Sequence, residues 1–205
     1  MAMTFATPNT LLGALQPKTQ TAQAINTIII AFLGTILLTI SAKFNIPFLP
    51  VPATFQTLVV AGLSAAFGWR VGVATVALYL VEGMLGLPVF AHGGGAAYLL
   101  GPTGGFLIGY LPAAFIIGKL ADMGASRSIF PLFLAMIAGD IVLFAFGFAW
   151  LTTFAGAVSW LDQSNVLGSA YAIAVEPFIV WDILKMAFAA ATVVGIWSAI
   201  NGRKA

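Results

Sequence analysis

The chain is 205 residues long, 61% hydrophobic and only 7% charged, with mean hydropathy +1.06 and a formal net charge of +2. Soluble domains carry about 25% charged residues, so this surface cannot face water and the chain belongs in a bilayer. Eight scattered basic residues make no nucleic-acid patch, zero cysteines exclude disulfides and thiolate metal sites, and one histidine, His92, excludes a multi-histidine metal site.

In chain order, residues 1–23 are polar or small with one charge, Lys18. They lack the apolar core of a signal peptide and are expected to form a cytoplasmic leader. Residues 24–205 are expected to form an all-α transmembrane domain of six helices, over 25–42, 54–68, 71–86, 104–121, 129–150 and 171–200. A span needs about 17–25 apolar residues, so the second and third are short. Gly68-Trp69-Arg70-Val71-Gly72 marks a tight turn between them; one long helix over 54–86 is the alternative.

With the N-terminus inside, the cytoplasmic faces carry Lys18, Arg70, Lys119, Arg127, Arg203 and Lys204. The outer loops carry Lys43, and Lys185 falls inside the sixth span. This asymmetry predicts both termini inside. Two outer loops, 43–53 with three prolines and 87–103 with Gly93-Gly94-Gly95, are apolar yet non-helical. Irregular backbone near membrane depth lines a cavity or is covered by protein, so the loops are expected to lid a pocket. The loop 151–170 is polar and is expected to be an ordinary surface connection.

The charges inside apolar segments are the sharpest signal. Asp182 and Lys185 are three residues apart in the sixth span and share one helical face. A central Asp or Lys costs about 2.5–3.5 kcal/mol, so the two should pair, either for packing alone or at a ligand. Asp140, in the fifth span, should contact a ligand or bond to a neighbouring helix. Glu82 and Glu176 should be structural. Backbone N–H groups of Gly93–Gly95 and at the start of the fourth helix could cradle an anion, with His92 beside them. No Gly-Lys-Ser/Thr follows, so this is no ATP-binding loop. Gly105 and Gly109, Ala31 and Thr35, and Ala187, Ala191 and Gly195 have the spacing of close helix contacts. A hydrolytic Ser64–His92 dyad is disfavoured, because the two fall near opposite faces.

Four blocks, Val51-Pro52-Ala53-Thr54-Phe55-Gln56-Thr57-Leu58, Leu78-Tyr79-Leu80, Gly86-Leu87-Pro88-Val89-Phe90-Ala91 and Leu100-Gly101-Pro102-Thr103-Gly104-Gly105, occur in an order and spacing that resemble the BioY family. That family comprises the biotin-specific S components of energy-coupling factor (ECF) vitamin transporters. The resemblance implies an S-component fold, biotin as transported substrate with no cofactor and no enzymatic activity, and work with a transmembrane coupling protein and two ABC-type ATPases. It matches Asp182 and Lys185 to the family's polar residues on the last helix, Thr54 and Gln56 to its Pro-x-Thr-x-Gln block, and Tyr98 to its pocket-lining loop. The chain departs from the pattern in Ala31-x-x-x-Thr35, where the first helix of S components often shows two alanines. Trp181, Asp182 and Asp140 also stand where smaller or less charged residues are expected. On this reading Asp182 accepts from a ureido N–H of biotin and Lys185 donates to the ureido carbonyl. Gln56 does both, and Phe48, Phe90 and Tyr98 enclose the apolar ring. The carboxylate meets the glycine N–H groups, Gly94 among them, with His92 or Lys43. An S component for another vitamin is the alternative; a stand-alone carrier is disfavoured by the lack of an internal repeat.

Overall fold

The structure, a computed structural model, describes residues 10–11, 19–46 and 51–202. Phe48, Lys18, Arg203 and Lys204 lie outside the described residues. Helix α1 (Gln20–Lys43) starts where the Thr19 hydroxyl accepts the Ala22 N–H. Two short strands, β1 (Asn45–Ile46) and β2 (Ala53–Thr54), pair antiparallel with Asn45 opposite Thr54, a small addition to the expected all-helical fold. Helices α2 (Gln56–Phe67) and α3 (Trp69–Met84) follow. A single turn α4 (Ala96–Leu99) precedes α5 (Gly104–Asp122) and α6 (Ile129–Thr153). Helices α7 (Val166–Ala174) and α8 (Ile179–Gly202) end the described chain.

The turn between α2 and α3 rests on Gly68, whose φ of 84° a side chain rarely adopts. The Gly68 N–H closes α2 on the Ser64 carbonyl at 2.9 Å, and its carbonyl opens α3 by accepting from Gly72. The long helix over 54–86 is therefore not formed. Pro177 in the 3₁₀ turn Glu176–Phe178 likewise splits the expected last helix into α7 and α8. Among the described residues, four segments are long and apolar enough to cross a membrane: Thr21–Lys43, Gly104–Asp122, Ile129–Thr153 and Val166–Ile200. At 12 and 16 residues, α2 and α3 fall short of that length.

The long helices alternate in direction. The segments 44–46, 51–55, 85–103 and 154–178 therefore gather at one end, called here the loop end. The α2–α3 turn, the α5–α6 connection and both ends of the described chain gather at the other. Helix α5 is central and packs on α2, α3 and α6. Its seam with α6 is close because it is built on glycine: a Cβ on Gly105 would sit 2.1 Å from Trp150 Cβ, and one on Gly147 would sit 2.2 Å from the Phe106 ring. The Ala31–Thr35 pair is buried, and Thr35 donates to Glu82 on α3 at 3.1 Å. The spacing on α8 is different, because Ala187, Ala191 and Gly195 face outward.

Exposed Ile28, Phe32, Phe130 and Phe188 lie on the outside of the bundle, whereas Gln56 and Asp182 are 3% and 1% exposed within it. This inverts the arrangement of a water-soluble domain and suits hydrocarbon. Three apolar clusters fill the interior. The one away from the loop end joins α2, α5, α6 and α8, and Leu11 packs into it. The loop 151–170 is more than a surface connection: Leu151, Val158 and Leu161 are buried with Val51, Ala170, Ala174 and Phe178 in a cluster at the loop end.

Candidate ligand-binding site

Between these clusters, at the loop end, lies a cavity that draws its wall from five parts of the chain. Its wall is largely apolar, with Val51, Phe106, Leu107, Leu143, Phe144 and Phe178. Against that wall stand Thr54, Gln56, Thr57, Tyr110, Asp182 and Lys185, brought together from β2 and the beginnings of α2 and α8, and from the middle of α5.

Asp182 sits in the first turn of α8, where the helix's free backbone N–H groups favour a carboxylate. The break at Pro177 places it there, so it lies nearer a helix end than an unbroken span over 171–200 would put it. Lys185 Nζ pairs with Asp182 Oδ1 at 2.6 Å. It also donates to the Thr54 carbonyl at 3.0 Å and to Thr57 Oγ1 at 2.9 Å. An ammonium has three donors, so all of them are engaged. Thr57 completes the knot by donating to Asp182 Oδ1 at 2.5 Å. Both contacts on Asp182 use Oδ1; among the described residues none falls on Oδ2, which leaves that oxygen as an acceptor on a cavity-lining residue.

Gln56 is fixed from both sides. Its amide oxygen accepts from Thr54 Oγ1 at 3.1 Å, and its Nε2 donates to the Tyr79 hydroxyl at 2.8 Å. Tyr79 in turn donates to the Val89 carbonyl at 2.9 Å, which ties α3 to the loop after it. One N–H of the Gln56 amide remains for a ligand. Tyr98 closes the cavity from α4. Its hydroxyl accepts the His92 backbone N–H, and burial pushes the phenol above its ordinary range, so it stays protonated.

Of the nine residues expected at a site, Asp182, Lys185, Gln56, Thr54 and Tyr98 line this cavity. Phe90 does not. It is fully buried behind Tyr98, stacked on that ring at 5.2 Å and set edge-on to Tyr79 at 5.4 Å. Gly94 is also absent from the wall; it lets the loop fold back on the turn after α3, since a Cβ there would lie 2.0 Å from the Leu87 carbonyl oxygen. His92 lines an adjoining chamber, and Phe48 lies outside the described residues. Most of the expected glycine cradle is not free either. The N–H groups of Gly93, Gly95, Gly101 and Gly104 donate to Phe90, Gly83, Tyr98 and Gly101 carbonyls, and Lys43 donates to the Phe90 carbonyl. Asp140 borders a crevice beneath the cavity that shares Thr57, Tyr110 and Leu143 with it. Ser64 lies near the far end of α2, and His92 lies in a loop-end segment, so no dyad forms.

Thr57, Tyr110 and Phe178 are cavity residues that sequence reasoning did not single out. Thr57 was within reach, because it lies one turn of helix from Thr54 and beside Gln56. Tyr110 offered no signal, being one aromatic among many in an apolar span.

The chain matches the model of the BioY family over residues 15–202. It is 35% identical over 158 residues to the biotin transporter BioY of Thermotoga maritima, covering 76% of this chain and 86% of that one. To the biotin transporter BioY of Rhodobacter capsulatus it is 36% identical over 172 residues, covering 77% and 86%. Its fold resembles the crystal structure of the S-component for biotin from an ECF-type ABC transporter, with a TM-score of 0.73, 26% identity and coverage of 89% of this chain and 95% of that one.

Proposed function

The chain belongs to the BioY family, and from that premise we propose that it is the biotin-binding membrane subunit of an ECF-type transporter. Six helices, α1, α2, α3, α5, α6 and the α7–α8 pair, then cross the bilayer, with both termini inside and the cavity opening outward. Helices α2 and α3 reach across with the help of their loops. The chain has no nucleotide-binding loop, so energy comes from elsewhere: a transmembrane coupling protein and two ABC-type ATPases. The function is binding and transport, with biotin as substrate and without a cofactor.

The observation that carries the reading is the Asp182–Lys185–Thr57 knot on the wall of an otherwise apolar cavity. Biotin offers a complementary pattern: two ureido N–H donors and a carbonyl acceptor on a ring whose other side is an apolar thioether. Asp182 Oδ2 accepts one ureido N–H. Lys185 reaches the ureido carbonyl by giving up one of its neutral oxygen partners, and the free N–H of Gln56 supplements it. Tyr98, Phe106 and Phe144 enclose the apolar ring. A polar ring leaves water only if most of its groups are paired again.

The test is calorimetric titration of the detergent-purified protein with biotin, with thiamin and riboflavin as controls. Biotin is expected to bind and the controls are not. D182N and K185M should each weaken biotin by at least about tenfold. Unchanged affinity in both variants makes the pair a packing element and overturns the assignment of the site. Accumulation of biotin in proteoliposomes that hold this chain and ATP but no other subunit overturns the division of labour.

A further inference from the structure

The far end of the cavity from the Asp182–Lys185 knot opens into a second chamber. Pro52, Tyr98 and Thr103 line both. The second chamber is an open recess further bounded by His92, Gly101 and Trp160.

The lysines suited to an anionic tail are engaged, and Gly94 lines neither chamber. Lys185 has its three donors on Asp182, Thr54 and Thr57. Lys43 lies on neither chamber wall and holds the Phe90 carbonyl. The loop glycine N–H groups of Gly93, Gly95, Gly101 and Gly104 close backbone turns. Among the described residues, then, no second Lys or Arg lines the cavity or the chamber, where His92 stands. A carboxylate buried without a partner is very costly. A ligand held by its ureido ring must therefore keep its acid end wet, and the route from the ring site passes Tyr98 and Thr103 into the second chamber.

We propose that recognition is confined to the ring, and that this protein also binds biotin whose carboxyl group is blocked as an amide, Nε-biotinyl-lysine in particular, with the extension in the chamber beside His92 and Trp160. This rests on the reading that the ureido ring occupies the cavity. Replacing the acid by an amide then removes no ion pair with a lysine or arginine, and an imidazole such as His92 can still hydrogen-bond an amide. The added alkyl chain lies along the Trp160 and Tyr98 rings, which give apolar contact beside polar tips. The class of substrate is accordingly wider than the free vitamin: amides that retain the intact bicyclic ring.

The experiment is competition against labelled biotin on the full chain in lipid nanodiscs, using biotin, biotinamide, Nε-biotinyl-lysine and the ring-opened diamine. Biotinamide and biotinyl-lysine should compete within about tenfold of biotin, and the ring-opened diamine should be weaker by at least about a hundredfold. W160A should weaken biotinyl-lysine while leaving biotinamide within about twofold. If both amides fall more than about tenfold below biotin, the acid is read directly and the proposal is overturned. An equal loss for both amides in W160A overturns the chamber assignment. Failure of unlabelled biotin itself to compete overturns the reading of the cavity, and the tail proposal with it.

Discussion

Thr57 joins both members of the buried pair, accepting from Lys185 and donating to Asp182. Thr57→Val keeps the shape of the side chain and removes both hydrogen bonds, so Lys185 loses one of three acceptors and Asp182 loses a donor. An unsatisfied buried polar group costs about 1–3 kcal/mol. T57V is therefore expected to unfold at lower temperature in a detergent melt and to bind biotin about tenfold or more weakly; unchanged values in both would remove Thr57 from the site. Gly83 acts at one remove. A Cβ there would lie 2.0 Å from Phe90 Cζ, and Phe90 is the ring against which Tyr98 stacks. G83A is expected to cost about 1–3 kcal/mol by overpacking and to weaken binding through the displaced Tyr98. The double variant G83A/F90L should recover stability, and no recovery would show that the clash is not the cause. At this scale the sequence was readable where burial is expensive: Asp182 and Lys185 stand out because charges are rare in spans. Neutral hydroxyls such as Thr57 and Tyr110 cost too little to stand out, and Phe90 was misplaced because an aromatic supporting a pocket wall has the same composition as one forming it.

Helices followed hydrophobic length closely: α1, α5 and α6 begin and end within a few residues of the apolar runs. Local chemistry decided the rest. Gly68 with its positive φ separates α2 from α3, and Pro177 separates α7 from α8, each visible beforehand as a residue type. The burial of the loop 151–170 was not visible, because Val158 and Leu161 carry no helical or strand period and sit among polar neighbours. Close packing of the α2–α3 turn gives a matched test. A Cβ on Gly118 of α5 would lie 2.4 Å from the backbone N and Cα of Trp69, whereas one on Gly62 of α2 would meet nothing within 4 Å. Backbone cannot step aside as a side chain can, so G118A should lower stability by about 1–3 kcal/mol. G62A should be neutral or stabilising by up to about 1 kcal/mol, since alanine is the better helix former. Thermal melts of the two variants in the same detergent separate them, and equal melting temperatures would contradict the packing.

Orientation belongs to the whole molecule, because no single helix sets it. Arg70, Lys119 and Arg127 lie at the end formed by the α2–α3 turn and the α5–α6 connection, and Lys43 lies at the loop end. An excess of Lys and Arg marks the cytoplasmic side, so the proposed orientation puts the loop end, with its cavity, outward, where it would capture a ligand. The zero-cysteine sequence is a ready background for testing this. Ser164, in the loop-end segment between α6 and α7, and Ser128, between α5 and α6, are both exposed. S164C should react with a membrane-impermeant maleimide on intact cells, and S128C should react only once the membrane is opened. The charge argument predicts both results together. Labelling of S128C and protection of S164C on intact cells would invert the molecule, turning the cavity inward so that it could not receive biotin from outside.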